Sequence, residues 1–444
     1  MSAFLNQLAA ASDFRTVVGE LRRQQVSDIA RGAIFVGALL LAWISLHPFL
    51  DLGNAQVRDA ATGNETITYL AFVCLAMLAI AFAMRDNAPG LATLISPGFI
   101  LFGGWIGMSV VLSTDPGTSM RRVIATLLVA VVTSSLMLLP KNQTELARWL
   151  SLAALGLLAI CYLGLLVVPQ LSMHHASDLA EQQLAGDWRG SFGHKNVAAG
   201  MMGMLLFIGI YVVRSGAWIS GTAILALSSI FLINTNGKSS IALSVLVLAV
   251  SSFTPYIRSL WFRAIFLLTP LLLLNVFTVG TVMNDTLAEI VSKLPVDTSF
   301  TGRTDVWTFA VQALQLRLYT GYGFEAFWGG SEMKNLPEGM EWTATAAHSH
   351  NGYLDTALGI GLPGLALLIV VLVILPLRNF HVADRGGNES PLTMLLLRLW
   401  LFGLYLSSLE SFFLDRADPL WFTFLMAVFG LHYLARFRLR EQGA

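Results

Sequence analysis

Apolar runs some five helical turns long recur from residue 32 onward, and this recurrence limits what the chain can fold into more than any other feature. A bilayer core roughly 30 Å thick is crossed by about 20 helical residues, and it leaves no lipid-facing backbone group unpaired. Runs that meet this condition predict an all-α polytopic membrane protein of about twelve spans, near 32–50, 67–84, 91–112, 122–139, 148–169, 196–213, 217–234, 240–254, 264–283, 351–375, 394–412 and 419–435. The span at 240–254 is short, and losing it would invert the orientation of everything that follows. With 55% hydrophobic and 12% charged residues, the chain has more apolar surface than a soluble core of 444 residues can bury, so lipid must cover the remainder.

The 27 basic and 27 acidic residues balance, so electrostatics gives no case for a nucleic-acid partner. Cys74 and Cys161 both fall inside apolar runs, which removes a disulfide framework and fits small buried hydrophobes. Residues 1–31 carry Arg15, Arg22 and Arg23 without a long apolar core, unlike a cleavable signal peptide. Phe4, Leu8, Val18 and Leu21 recur near helical spacing there, as in an amphipathic helix on the cytoplasmic leaflet or a solvated tail.

With the N-terminus inside, the cytoplasmic segments collect Arg31, Arg85, Lys141, Arg148, Arg214, Arg258, Arg263, Arg378, Arg385 and Arg436, as the positive-inside rule requires. Both termini are then cytoplasmic, and the domain plan is an N-terminal segment 1–31, a membrane domain 32–435 and a tail 436–444. Two outer loops stand out, at about 170–195 and at 284–350, between spans nine and ten. The second carries Trp307, Phe324, Phe327, Trp328 and Trp342, enough aromatic surface to lie against the membrane. No internal repeat or separate soluble domain is evident.

In this topology Arg121, Arg122, Arg189, Lys195, Lys238 and Arg303 lie on the outer side, against the rule, and each needs a reason. Neutralising an anion such as a lipid-linked pyrophosphate is one, and snorkelling to lipid phosphates is another. Lys238 sits in the polar turn Asn234-Thr235-Asn236-Gly237-Lys238, which has the character of an anion nest but lacks the upstream glycines of a Walker motif. Arg303 lies in Gly302-Arg303-Thr304-Asp305-Val306-Trp307, where Asp305 is placed to orient the guanidinium or to form a plain loop salt bridge with it.

The stretch Ala347-His348-Ser349-His350-Asn351-Gly352 closes the long loop and brings two histidines to the outer membrane edge. An imidazole there is suited to take a proton from a sugar hydroxyl, although a structural His pair bonded to carbonyls accounts equally for the spacing. Zinc would need further ligands that neither cysteine nor His174 and His175 supply in a recognisable pattern. Glu410 lies near the outer end of a span, where an ionised group is costly, and its carboxylate is placed either to orient His350 or to pair with Arg416 or Arg398.

These residues resemble a family. His350-Asn351, nine residues, then Gly361-Leu362-Pro363-Gly364 resembles the H-[NSQ]-x9-G-x-x-[GTY] signature of the bacterial O-antigen ligase and polymerase superfamily. The order of parts is also similar: a cation before the eighth span, an arginine in a large outer loop, and a histidine at its end. Lys238 departs from the arginine that lipopolysaccharide ligases carry there. Phe192-Gly193-His194-Lys195-Asn196 with the small-residue run that follows resembles the exopolysaccharide-polymerase branch, of the succinoglycan-production type. Arg189, ten residues and Gly200 is similar to a motif of O-antigen polymerases.

The resemblance implies a GT-C-like membrane glycosyltransferase of the bacterial inner membrane with a periplasmic active site. It would transfer a glycan from an undecaprenyl-pyrophosphate donor to an acceptor hydroxyl, with inversion and without cofactor, metal or nucleotide sugar. On this reading His350 as base and Glu410 are the catalytic residues, supported by His348, Asn351, Asp305 and His194, while Arg303 and Lys238, with Lys195 and Arg189, meet the departing pyrophosphate. The acceptor is a second repeat unit in a polymerase or lipid A-core in a ligase, and a flippase and a chain-length regulator are implied partners. From another class, a transporter or flippase would show paired halves and broken helices at matching positions, which this sequence does not display. A sensor or structural membrane component would leave Lys238, Arg303 and His350 unexplained.

Overall fold

The computed structural model describes residues 2–44, 47–54, 66–94, 96–179, 181–293, 300, 302–330, 333, 346–385, 390–416 and 418–437, with the side chains of 2–21, 23, 66 and 385 set aside. Among these residues the fold is helical, and the only extended pairing is an isolated bridge between Met173 and Trp188. The helices in chain order are α1 (Ser2–Trp43), α2 (Thr66–Thr93), α3 (Pro97–Val111), α4 (Pro116–Leu136), α5 (Gln143–Val167), α6 (Lys195–Arg214), α7 (Trp218–Asn234) and α8 (Lys238–Phe253). They continue with α9 (Leu260–Val276), α10 (Asp285–Ser292), α11 (Arg303–Leu316), α12 (Gly352–Ile369), α13 (Leu375–Arg385), α14 (Pro391–Leu406) and α15 (Pro419–Leu434).

Each of the twelve expected spans holds an apolar helix. Seven segments are long and apolar enough to cross a bilayer, among them Lys238–Tyr256, where the sequence was least decisive. Five apolar helices are shorter, namely α3, α7, α9, α14 and α15. The two shortest near the chain's end, α14 and α15, are buried on every face, from Leu392 to Leu406 and from Pro419 to Tyr433. A helix apolar all round belongs inside a bundle. Surrounded by protein, neither needs to match the bilayer's thickness. The residues that follow α14 are sunken as well, Ser407, Ser408, Phe412 and Leu414 all being buried.

Boundaries moved where the backbone had reason to move them. With no proline in positions 2–43, α1 runs unbroken through the expected boundary at 31–32 and stops at Trp43, whose indole donates to Thr423 Oγ1 at 2.8 Å. Pro89 kinks α2 at Asn87, whose side chain accepts from Gly90 N. Several aromatic residues of the long loop pack against the protein itself. Trp307, Phe309, Tyr322 and Phe327 form a small core of their own with Leu354 and Leu358 of α12, and Phe324 joins the main core. Trp342 lies outside the described residues.

Candidate active site

The break in α12 is the local feature that seats the loop after α11 against the helix that begins at the histidine segment. Gly361 has φ +71, and a Cβ there would lie 2.3 Å from the Tyr319 carbonyl. Only glycine tolerates both. The opened turn lets loop 318–323 bond backbone to backbone with the helix: Tyr322 N to Leu358 O at 2.8 Å, Gly323 N to Gly359 O at 2.9 Å, and Leu362 N to Leu318 O at 2.7 Å. At Gly364 a Cβ would press on Ile360 and on the indole of Trp105, which donates to Ile360 O.

At the start of α12, Asn351 is the N-cap, accepting from Tyr353 N and Leu354 N. Its Nδ2 donates to Asn275 Oδ1 and Ser408 O, both at 3.1 Å, and Gly352 N donates to Ser407 O at 2.8 Å. The histidine segment is thus stitched to the sunken turn after α14. From the other side the Trp307 indole donates to Ser349 O at 2.8 Å, and Ser349 N donates to the Asp355 carboxylate. Held at both flanks, His350 takes the left-handed conformation, φ 54, which a β-carbon normally avoids.

Glu410 lies in that turn, beyond the end of α14 rather than inside a span. Its Oε2 is 3.3 Å from His350 Nδ1, and its Oε1 accepts from Arg303 Nη2 and from Asn196 Nδ2, each at 2.9 Å. Burial resists ionisation of this carboxyl, but Arg303 and the His350 hydrogen bond outweigh it and hold the group at about 2. An ionised carboxylate only accepts, so His350 Nδ1 carries a proton, and Nε2 is the nitrogen left to accept from a reactant in the neutral ring. His350 remains 32% exposed, open to a reactant. His348 stands edge-on to it, ring centres 4.2 Å apart, and its Nδ1 accepts from His350 N. Burial and then His350 itself push the His348 imidazole below its ordinary value, so it stays neutral and able to accept.

Arg303 is the first residue of α11, following Gly302 at φ +83. Its Nη1 donates to Leu409 O and its Nη2 to Glu410, so its carboxylate partner is Glu410 rather than the Asp305 expected from spacing. Asp305 occupies the first turn of α11 and is exposed. Arg416 and Arg398, the other partners considered for Glu410, bond elsewhere, to Tyr69 and Glu325 and to Ser251 respectively.

The remaining cations separate into two roles. Lys195 Nζ bonds Asp187 Oδ2 at 2.6 Å, Asp187 Oδ1 accepts from Asn236 Nδ2, and Asn236 precedes Gly237-Lys238. This chain ties the Lys238 turn to Asn196 and hence to Glu410. The Lys238 side chain is exposed and makes no hydrogen bond or ion pair among the described residues. Arg189 is different. Only 1% exposed, it donates to the carbonyls of Leu50, Phe192 and Met173, so its guanidinium is consumed in holding loop 170–195, and burial lowers its pKa. The expectation that it meets a ligand does not fit this geometry. His194 caps α6 through Asn196 N and bonds Glu181 Oε2 at 2.8 Å, beside His174.

Among the described residues no three His, Cys, Asp or Glu side chains are grouped to hold a metal ion. The site is a carboxylate shared by an imidazole and a guanidinium, linked to the Lys238 turn through Asn196, Lys195, Asp187 and Asn236. Residues 222–369, which contain Lys238, Arg303, His350, Gly361 and Gly364, match the O-antigen ligase family. A stretch of 80 residues is also 36% identical to the exopolysaccharide production protein ExoQ of Rhizobium meliloti (strain 1021), covering 17% of this chain and 18% of that relative. Over these two stretches the chain is similar to proteins of the O-antigen ligase/polymerase superfamily, and its apolar helices are those of a multi-pass membrane protein. Glu410, Asn196 and Lys195 lie outside the matched O-antigen ligase domain, yet Glu410 and Asn196 complete its site. Asn196 was missed as a participant because nothing in its own neighbourhood marks an asparagine as the partner of a carboxylate 214 residues away.

Proposed function

We propose that the protein is a glycosyltransferase of surface-polysaccharide biosynthesis, moving a glycan from an undecaprenyl-pyrophosphate donor to an acceptor sugar hydroxyl. The observation that carries this reading is Glu410 bridging His350 and Arg303. One carboxylate fixes the tautomer of a base and the orientation of a cation at once. His350 Nε2 accepts the acceptor's hydroxyl proton, and the oxygen attacks the anomeric carbon from the face opposite the leaving group. The carbon–oxygen bond to the pyrophosphate breaks, and its electron pair leaves with that group, giving inversion. Arg303 through Nε, which has no partner among the described residues, and Lys238 stabilise the charge that develops. Lys195 holds the Lys238 turn through Asp187 and Asn236.

The site faces the periplasm in this reading, with both termini cytoplasmic, and polymerisation of exopolysaccharide or O-antigen units is favoured over ligation to lipid A-core by the resemblance to an exopolysaccharide production protein. Purified protein given a defined lipid-linked oligosaccharide tests the mechanism. Turnover should persist in chelator and fall by about 10²- to 10⁴-fold in His350→Ala. Full polymer output from a normally folded His350→Ala protein would overturn the assignment of the base, and loss of turnover in chelator would overturn the cation-only mechanism.

A further inference from the structure

Loop 170–195 brings a second carboxylate–imidazole pair to the site, and the mechanism above gives its carboxylate no part. His194 Nε2 lies 2.8 Å from Glu181 Oε2, while His194 Nδ1 accepts from Asn196 N at 3.1 Å. The same asparagine donates through Nδ2 to Glu410. Glu181 is therefore joined to His350 through His194, Asn196 and Glu410, and His350 is near enough for its charge, when protonated, to act on the Glu181 carboxyl.

The hydrogen bonds decide what each group can do. A ring nitrogen that accepts from a backbone N–H holds a lone pair, so His194 is neutral, carries its proton on Nε2 and donates it to Glu181. His174, edge-on to His194 with ring centres 5.2 Å apart, is spent in the same way: its Nε2 accepts from Lys195 N at 3.2 Å and its Nδ1 faces Asp178 Oδ2 at 3.1 Å. Neither imidazole has a nitrogen left for a reactant. Glu181 does have an oxygen left. Its Oε2 is taken by His194, its Oε1 has no partner among the described residues, and its side chain is 49% exposed. The hydrogen bond from His194 is the largest of the effects that hold this carboxyl below its ordinary value, so at neutral pH Oε1 accepts and cannot donate.

The backbone fixes where that carboxylate stands. Glu181 has φ 57, the left-handed conformation that favours glycine, and its carbonyl accepts from Leu184 N at 2.9 Å. The loop around it is clamped by His174 N to Asp187 O at 2.9 Å and Gly186 N to His174 O at 2.8 Å. Nothing in such a turn calls for a glutamate, yet the clamp and His194 together hold one whose second oxygen is uncommitted.

We propose that Glu181 recognises the acceptor glycan, its free oxygen taking a hydrogen bond from a second hydroxyl of the sugar whose attacking hydroxyl gives its proton to His350, a recognition that rests on the function proposed above. An ionised carboxylate repels a pyrophosphate, so this flank suits the acceptor's hydroxyls and leaves the phosphates to Arg303 and Lys238. An imidazole nitrogen and a carboxylate oxygen held at a fixed separation read the spacing between two hydroxyls, which a base alone does not. His194 is the positioning residue of this pair.

The test is steady-state transfer by the purified protein from the lipid-linked repeat unit of its own cells. The acceptors are that repeat unit on a short alkyl tail and a set of analogues each lacking one hydroxyl of the terminal sugar. Besides the analogue without the attacking hydroxyl, one other should lose about 10- to 100-fold in kcat/KM with the parent protein. Glu181→Gln keeps a carbonyl oxygen for His194 and puts an NH2 in place of Oε1. It should elute and melt as the parent does, lose a similar factor on the full acceptor through acceptor KM rather than kcat, and lose nothing further on that one analogue. A brace for the loop would instead weaken every acceptor alike. Equal losses across the series, a loss that follows a deoxy donor instead, parental kinetics in Glu181→Gln, or a parent protein indifferent to every deletion except that of the attacking hydroxyl overturns the inference and leaves His350 as the base. No transfer at all by the parent protein overturns the proposed function and this recognition with it.

Discussion

Glu410 is the residue on which the site's electrostatics turn. Its carboxyl is held near 2 in the folded protein against an ordinary 4.5, so it binds fewer protons folded than unfolded. It therefore contributes stability that is fully present above about pH 4.5 and is lost as pH falls toward 2. Relative to Glu410→Gln, the parent protein should have the higher melting temperature at pH 6, and the gap should close between pH 4.5 and 2 in a thermal-shift series. A gap independent of pH would show that the carboxylate is not what the arginine and histidine stabilise. The same substitution should reduce turnover by about 10²-fold, because the amide no longer fixes the His350 tautomer. Arg189 makes the contrasting case. Arg189→Met should cost roughly 3 to 5 kcal/mol, seen as lower folded yield, because carbonyls lose a buried charge partner, with KM unchanged in the protein that does fold. In sequence the two arginines 189 and 303 looked alike, since each was a cation on the unexpected side. What separates them is whether carbonyls or a carboxylate surround the guanidinium, and that is fixed by residues up to 139 positions away for Arg189 and 107 for Arg303.

At the scale of the element, the glycines of the His350-to-Gly364 signature are explained by the interruption of α12. Gly361→Ala demands a positive φ from alanine and drives its Cβ into the Tyr319 carbonyl, so the 318–323 loop must detach or the helix must straighten. Destabilisation above about 3 kcal/mol is expected, read as loss of a cooperative melt or of folded material on size-exclusion chromatography. A mild effect would mean that the opened turn is not required. The spacing of these residues was legible in the sequence, but the reason for it was not, because the partner backbone comes from the preceding loop. Likewise the aromatic content of 284–350 was legible, whereas its docking partner was not. Trp307 and Phe327 pack with Leu354 and Leu358, an intramolecular surface.

For the whole molecule, the apolar segments were readable because span length is a local property of sequence, and even 238–256 emerged as a helix long enough to cross a membrane. Convergence was not readable. Asn196, Arg303, His350 and Glu410 meet only once α6, α11, α12 and the turn after α14 are assembled. The proposed topology makes a further expectation: single cysteines at Gln182 and Lys293 should react with a membrane-impermeant maleimide added to intact cells, and one at Arg258 only after permeabilisation, in a background lacking Cys74 and Cys161. The reverse pattern would place the site in the cytoplasm. The position of Glu410 in the chain bears on biogenesis. During synthesis Asn196, Arg303 and His350 all leave the ribosome before the carboxylate that unites them. On the function proposed above, a chain inserted only as far as His350 has a base without its tautomer fixed and a cation without its anchor, and transfer waits for the turn that carries Glu410.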